Sequence, residues 1–342
     1  MTDSLHSQLR PELNSEMLTP TSLEASLEVT ETSSKSVKAK FTPQDRVRRL
    51  VWKMAIATLI LMAIGSATRV MNAGLACPDW PLCYGTLFPA QQMNLQVFLE
   101  WIHRLDASLI GLMAIVLVGY AWWKRAALPK WTPWVATLAL GLIVFQGVLG
   151  GLTVTEMLRF DIVTAHLGTA LAFFITLLVM GTLLLPHQPT GTVGKLPWLS
   201  LTAAVLIYLQ SISGALVGSR WALHQCLVVT QLCSVMNIHL LGIIPATLMT
   251  LAVVIAAWRT PALNRSLRQL ANLTGLLLLL QLTLGFATFR LHLQVELLTI
   301  SHQMVGASLL GSLICFAVLG LRDRSRANQP TPRITEDSPQ PA

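Results

Sequence analysis

This sequence predicts an all-α integral membrane protein: eight transmembrane helices arranged as two parallel-repeat four-helix bundles. Three observations carry that prediction. The 342 residues are 53% hydrophobic and only 12% charged, about half the charge content of an ordinary soluble domain. Eight apolar runs are each long enough to cross a bilayer as a helix. Four histidines inside those runs recur at one fixed spacing.

The runs are Val51–Val70, Val97–Trp123, Trp134–Val154, Ile162–Leu185, Leu196–Val217, Asn237–Trp258, Leu270–Phe289 and Leu297–Leu321. None alternates with the period of two that a barrel strand needs. Helices follow, because lipid offers backbone groups no other partner. The net charge of +8 raises nucleic acid as a partner until the charges are located. The N-terminal tail and the start of the first run hold 8 Lys and Arg. The segments after runs two, four and six hold 3, 1 and 3, and the C-terminal end holds 4, so 19 of 24 fall on one side. Arg69, Arg104, Arg159, Arg220 and Arg290 belong to the other side. The bias orients both termini to the cytoplasm or its equivalent, with the lipid bilayer as partner and no nucleic acid. Which membrane is not encoded in it. Residues 1–45 and 322–342 are polar and read as disordered cytoplasmic tails, an organelle-targeting role for the first being the alternative.

The repeat is visible in the histidines. His103 in run two and His239 in run six differ by 136, as do His166 in run four and His302 in run eight. Gln146, Gly150 and Thr153 in run three match Gln281, Gly285 and Thr288 in run seven at an offset of 135, which one loop indel explains. Four helices per copy keep the copies in the same orientation, related by an axis along the membrane normal. The halves are residues 46–190 and 191–321. Gly147/Gly151 and Gly214/Gly218 have the spacing that lets helices approach closely, for a dimer or for general packing.

All four histidines lie one or two turns inside the outer ends of their helices, so each half holds two imidazoles at similar depth. Intramembrane ionisable groups are functional-site candidates. Zinc wants four ligands, or three and a water. Two imidazoles per half without carboxylate or thiolate suit axial coordination of haem iron better. Gly168 and Gly306 are expected to make room for a porphyrin face. His6, His187, His224 and His292 lie outside the runs and carry less weight. Four of the five cysteines lie in outer loops as close pairs, Cys77 with Cys83 and Cys226 with Cys233. A local disulfide in each loop is one reading, with a redox-active role open to a labile bridge; a zinc site from all four thiols is another. Cys315 sits alone in an apolar run and reads as packing.

The string TRVMNAGLACPDWPLCYG (68–85) followed by EWIHR (100–104) resembles the first outer loop and second helix of the haem A synthase family, and the likeness extends over about Val51 to Leu321. The resemblance implies oxidation of the C8 methyl group of haem O to a formyl group. It further implies haem b as cofactor on His239 and His302, and haem O as substrate on His103 and His166. The Cys77–Cys83 pair is implicated in activity or haem transfer, and haem O synthase is the functional neighbour. No electron acceptor is named by any motif.

The repeat adds a test of its own. Shifting Glu100 and Arg104 by 136 lands on Met236 and Leu240, so only the N-terminal half has an acid and a base beside its first histidine. Glu100 and His103 share a helical face, which makes Glu100 the candidate catalytic residue, accepting a proton or stabilising developing positive charge as the methyl group is oxidised. Arg104 is the candidate partner of a haem propionate. The plainer alternative pairs Glu100 with Arg104 at the membrane surface. Two other functions fit paired histidines: a di-haem b electron-transfer cytochrome, and a haem transporter or chaperone.

Overall fold

Each long helix begins where the sequence supplies a stop for its first free N–H groups. In α1 (Pro43–Val70) Thr42 and Asp45 form a reciprocal capping box with Pro43 opening the helix, the arrangement that satisfies two unpaired donors at once. Asn94 caps α2 (Leu95–Trp123) by accepting from the Val97 N–H. Proline opens α3 (Thr132–Thr155) and α5 (Leu196–Val217). The others are α4 (Phe160–Leu183), α6 (Cys233–Arg259), α7 (Arg265–Arg290), capped by Asn264, and α8 (Glu296–Arg324). This computed structural model describes residues 41–188, 190, 192–219, 233–291 and 294–324. All eight helices are long and apolar enough to cross a membrane, and the chain is a multi-pass integral membrane protein.

The helices close into two rings with the same order of neighbours. In the first, α1 contacts α2 and α4, and α3 contacts α2 and α4; in the second, α5 contacts α6 and α8, and α7 contacts α6 and α8. The rings meet through α8 against α1 and α4, and through α4 against α5. Thus α8 is the most buried helix of the described chain and α7 the least. Large apolar side chains such as Ile60, Leu112, Leu248 and Leu279 stay exposed on the outer faces, as expected where lipid is the solvent. Inside the second ring, hydroxyls tie helix to helix: Ser200 of α5 donates to the Leu313 carbonyl of α8 at 2.8 Å, and Thr274 of α7 and Ser312 of α8 are hydrogen-bonded at 3.0 Å. At the inner end, Arg322 donates to the Thr182 and Leu185 carbonyls at 2.7 and 2.8 Å. Beside it, buried Asp323 accepts from Thr190 and lies 3.3 Å from His187, whose side chain is buried too.

Three expectations shift. Residues 43–45 are helix rather than tail, because the Thr42 capping box starts α1 earlier than hydropathy suggests. Likewise α8 runs to Arg324, its end held by Arg322. Residues 1–40 and 325–342, and His6, His224 and His292, lie outside the described residues. Finally, the small-residue pairs are not one kind of contact: only Gly214 and Gly218 are met closely from a neighbouring helix. Gly147 faces open space, Gly151 meets Trp80, Gly214 meets His239 and Gly218 meets Arg69.

Candidate functional site

The N-terminal ring points His103 from α2 and His166 from α4 at each other, with ring centroids 6.5 Å apart and planes inclined at 65°. Two imidazoles on opposite sides of one iron, with metal–nitrogen bonds of about 2 Å, set their centroids roughly 6 to 6.5 Å apart. The Nδ1 atoms of both rings are buried without a hydrogen-bond partner. In the C-terminal ring, His239 from α6 and His302 from α8 line one cavity of about 390 Å³, within the roughly 300–1,000 Å³ typical of ligand and cofactor sites. Its walls are mostly aliphatic. The imidazole spacing of the first ring and the apolar cavity of the second fit haem. Among the described residues no group of three or more His, Cys, Asp and Glu converges as a metal cluster.

One device seats all four imidazoles: a glycine on the preceding helix. A Cβ would meet the Cε1 of His103 from Gly65 at 2.8 Å, of His166 from Gly150 at 3.3 Å, of His239 from Gly214 at 3.0 Å and of His302 from Gly285 at 2.9 Å. Glycine is needed there because each ring edge lies against the helix backbone. The carbonyls of Leu61, Gln146, Gln210 and Gln281, one turn earlier, sit beside the same rings. Metal-bound histidines are commonly oriented by such carbonyls. The sequence marks Gly150 and Gly285 as repeat positions and Gly214 as a close-packing glycine without assigning this task, and it gives no signal for Gly65. The glycines it proposed behave otherwise. Gly168 faces Ile212 and Tyr208, whereas Gly306 does line the cavity but meets Gln281. Gly285→Ala is expected to cut haem content several-fold, although alanine favours helix by about 1 kcal/mol over glycine. Gly147→Ala, facing open space, should leave it unchanged; a pyridine haemochrome assay reads both.

The two rings differ in what surrounds the imidazoles. In the C-terminal ring, the Gln210 amide lies 3.1 Å from His239 Nδ1 and donates to the His239 carbonyl at 2.7 Å. Ser213 is 2.9 Å from the same Nδ1, and the Gln281 amide is 3.2 Å from His302 Nε2. In the N-terminal ring, Gln146 occupies the place of Gln281 in the repeat; the Oε1 of both is buried without a partner, but among the described residues only the Gln281 amide meets its histidine.

What the N-terminal ring has is a roof. Cys77 and Cys83 are joined by a disulfide, and both are buried. Glu100, also buried, holds this loop: the Cys77 N–H donates to its Oε2 at 2.8 Å, and Arg104 Nη2 pairs with its Oε1 at 2.5 Å. Arg104 further donates to the Asp79 carbonyl at 2.6 Å, the Leu82 carbonyl and, at 3.5 Å, the Cys77 carbonyl. Three of its five donors therefore serve the loop and a fourth serves Glu100, leaving only Nε–H for the propionate expected from sequence; the Glu100–Arg104 pairing given as the alternative is present. Asp79 closes the far turn, accepting from the Gly85 and Tyr84 N–H groups at 2.8 and 2.6 Å, where Gly85 adopts φ +68°. Those donors, Gly85 first, hold the Asp79 carboxyl below its usual range. Its grip is thus complete above about pH 4 and fades as pH falls through the lowered native value. Trp80 then lies on Gly151, one residue from the glycine that seats His166. The second cysteine pair lies outside the description: Cys226 and the Cys233 side chain are not among the described residues.

A scan of family models matches residues 48–314 to one described as "Cytochrome oxidase assembly protein". Among curated proteins, the heme A synthase of Shewanella oneidensis is 27% identical over 319 residues, covering 78% of this chain and 95% of that protein. That of Shouchella clausii is 24% identical over 292 residues, covering 80% and 96%. A protein named protoheme IX farnesyltransferase, from Halobacterium salinarum, is 31% identical over 144 residues, 42% of this chain and 30% of its own length. With the four histidines, Glu100 and the disulfide loop all inside the matched region, the chain belongs to the cytochrome oxidase assembly protein family, that of the haem A synthases it resembles.

Proposed function

We propose that this chain is a haem A synthase. Its N-terminal half, residues 46–190, receives haem O between His103 and His166 and oxidises the C8 methyl group. Its C-terminal half, residues 191–321, keeps haem b between His239 and His302. Two successive hydroxylations of the methyl carbon, each a two-electron oxidation whose electrons pass to an acceptor outside this chain, give a geminal diol, and loss of water leaves the formyl group. Haem b, when bound, supplies a one-electron redox centre. The halves act as copies related by an axis along the membrane normal, a reading that the matching neighbour order of the two rings supports. Both termini face the cytoplasm.

The asymmetry between the halves carries this reading. Gln210, Ser213 and Gln281 restrain the C-terminal imidazoles, as a permanent ligand pair requires. The N-terminal imidazoles have no such side-chain restraint among the described residues, so one ring is free to swing away when substrate enters or product leaves. Above them, Glu100 joins the disulfide loop to α2 and Trp80 closes the α3 side, excluding water. Glu100, paired with Arg104, is then the acceptor for protons released from the methyl carbon. A di-haem cytochrome has no use for one acid-bearing roof on one half. The match to a protoheme IX farnesyltransferase supports a functional link to haem O synthase.

Expression together with a haem O synthase, followed by chromatography of extracted haems, tests the reading. Haem A is expected only when both proteins are present. Haem O persisting unchanged beside well-folded, haem-loaded protein would overturn it in favour of a carrier.

A further inference from the structure

The cavity of the C-terminal half is not built by that half alone. Arg69, in the last turn of α1, reaches across from the N-terminal ring and lines the cavity beside His239, His302 and Gln303. Its Nη2 donates to Gln303 Oε1 at 3.2 Å, and its guanidinium lies on Gly218, where a Cβ would come within 3.0 Å of Nη1. Gly214, one turn earlier on α5, seats the His239 ring. A single glycine seam therefore presents an imidazole and a guanidinium to the same space on successive turns, roughly 5.4 Å apart along the helix.

That guanidinium has no acid to balance it. Among the described residues Arg69 makes no ion pair, and no Asp or Glu lines the cavity. The undescribed segments of this half, 220–232 and 292–293, contain no acidic residue in sequence. Gln303 is neutral and takes one of five N–H donors. A cation at the wall of an apolar intramembrane cavity is costly without an anion. Haem brings two carboxylates on one edge, and Arg is the side chain best shaped to bind them.

We propose that Arg69 binds a propionate of the haem held by His239 and His302, so that the cofactor bridges the two halves. The proposal rests on the reading that haem occupies this cavity. Its test measures haem retention, not turnover. Purified Arg69→Gln protein should keep the bis-histidine absorption spectrum but release haem to apomyoglobin about tenfold faster or more, with Arg69→Lys in between. Apo-protein loaded with haem b or its dimethyl ester supplies the second arm. Wild type should retain the free acid better than the ester, and Arg69→Gln should hold both equally. Equal release rates in wild type and Arg69→Gln, or ester discrimination that survives the substitution, would overturn the proposal. Failure of the underlying reading looks different: wild-type haem retention would then be unaffected by His239→Ala.

Discussion

Glu100→Ala is expected to abolish conversion of haem O while leaving the haem of the C-terminal half in place. The carboxylate is buried and accepts from both the Cys77 N–H and Arg104. Removing one member of such a buried pair costs about 3–5 kcal/mol locally, and the orphaned N–H adds roughly 1–3 kcal/mol, so the roof over His103 and His166 loosens. None of this touches the lining of the cavity of His239 and His302, which α5 to α8 build with Met62 and Arg69 of α1 and Leu167 and Leu171 of α4. Haem O or its alcohol should accumulate, with conversion down by about 100-fold or more if proton acceptance is lost. Glu100→Gln separates two roles. It keeps an acceptor for the Cys77 N–H but no charge, so a proton acceptor fails in both variants, whereas a loop anchor survives in the amide. Extracted haems from the two variants decide between them.

His302→Ala should remove the resident haem and with it all conversion. The substitution deletes a proposed haem ligand and leaves its seat at Gly285 bare, next to an aliphatic cavity of about 390 Å³ that is lined by no imidazole but His239 among the described residues. Haem content of the purified protein is expected to fall to near zero for this site, and thermal stability should fall with it, since a ligand bound only by the folded state stabilises by mass action. His103→Ala is the contrasting case: the resident haem stays and substrate handling fails. Absorption spectra with haemochrome quantification read both. Full retention of haem by His302→Ala would remove that residue from the site.

Much of this was legible in the sequence, and the reasons are particular. Spans follow from composition, because lipid leaves the backbone no alternative to helix, and the 136-residue spacing of His103, His166, His239 and His302 survived because each sits on a rigid helix at fixed depth. The helix starts were less visible: Thr42 and Asp45 extend α1 by hydrogen bonding, which hydropathy does not register. Glycine seats were harder still, since Gly65 and Gly214 meet their histidines across a helix pair, and only Gly150 and Gly285 carried a repeat signal. The destination of Arg104 depended on the path of the loop between Cys77 and Cys83, which no spacing rule supplies. Arg69 looked like one of five outer-side charges until α1 was seen against α8 and its guanidinium beside Gly218.

The central claim is two unequal haem sites in two similar halves, and haem stoichiometry tests it most directly. Protein purified from cells that also make haem O should hold, per chain, one haem b together with haem O or haem A. Two haem b per chain, with neither haem O nor haem A, would contradict the account and make the molecule a di-haem cytochrome.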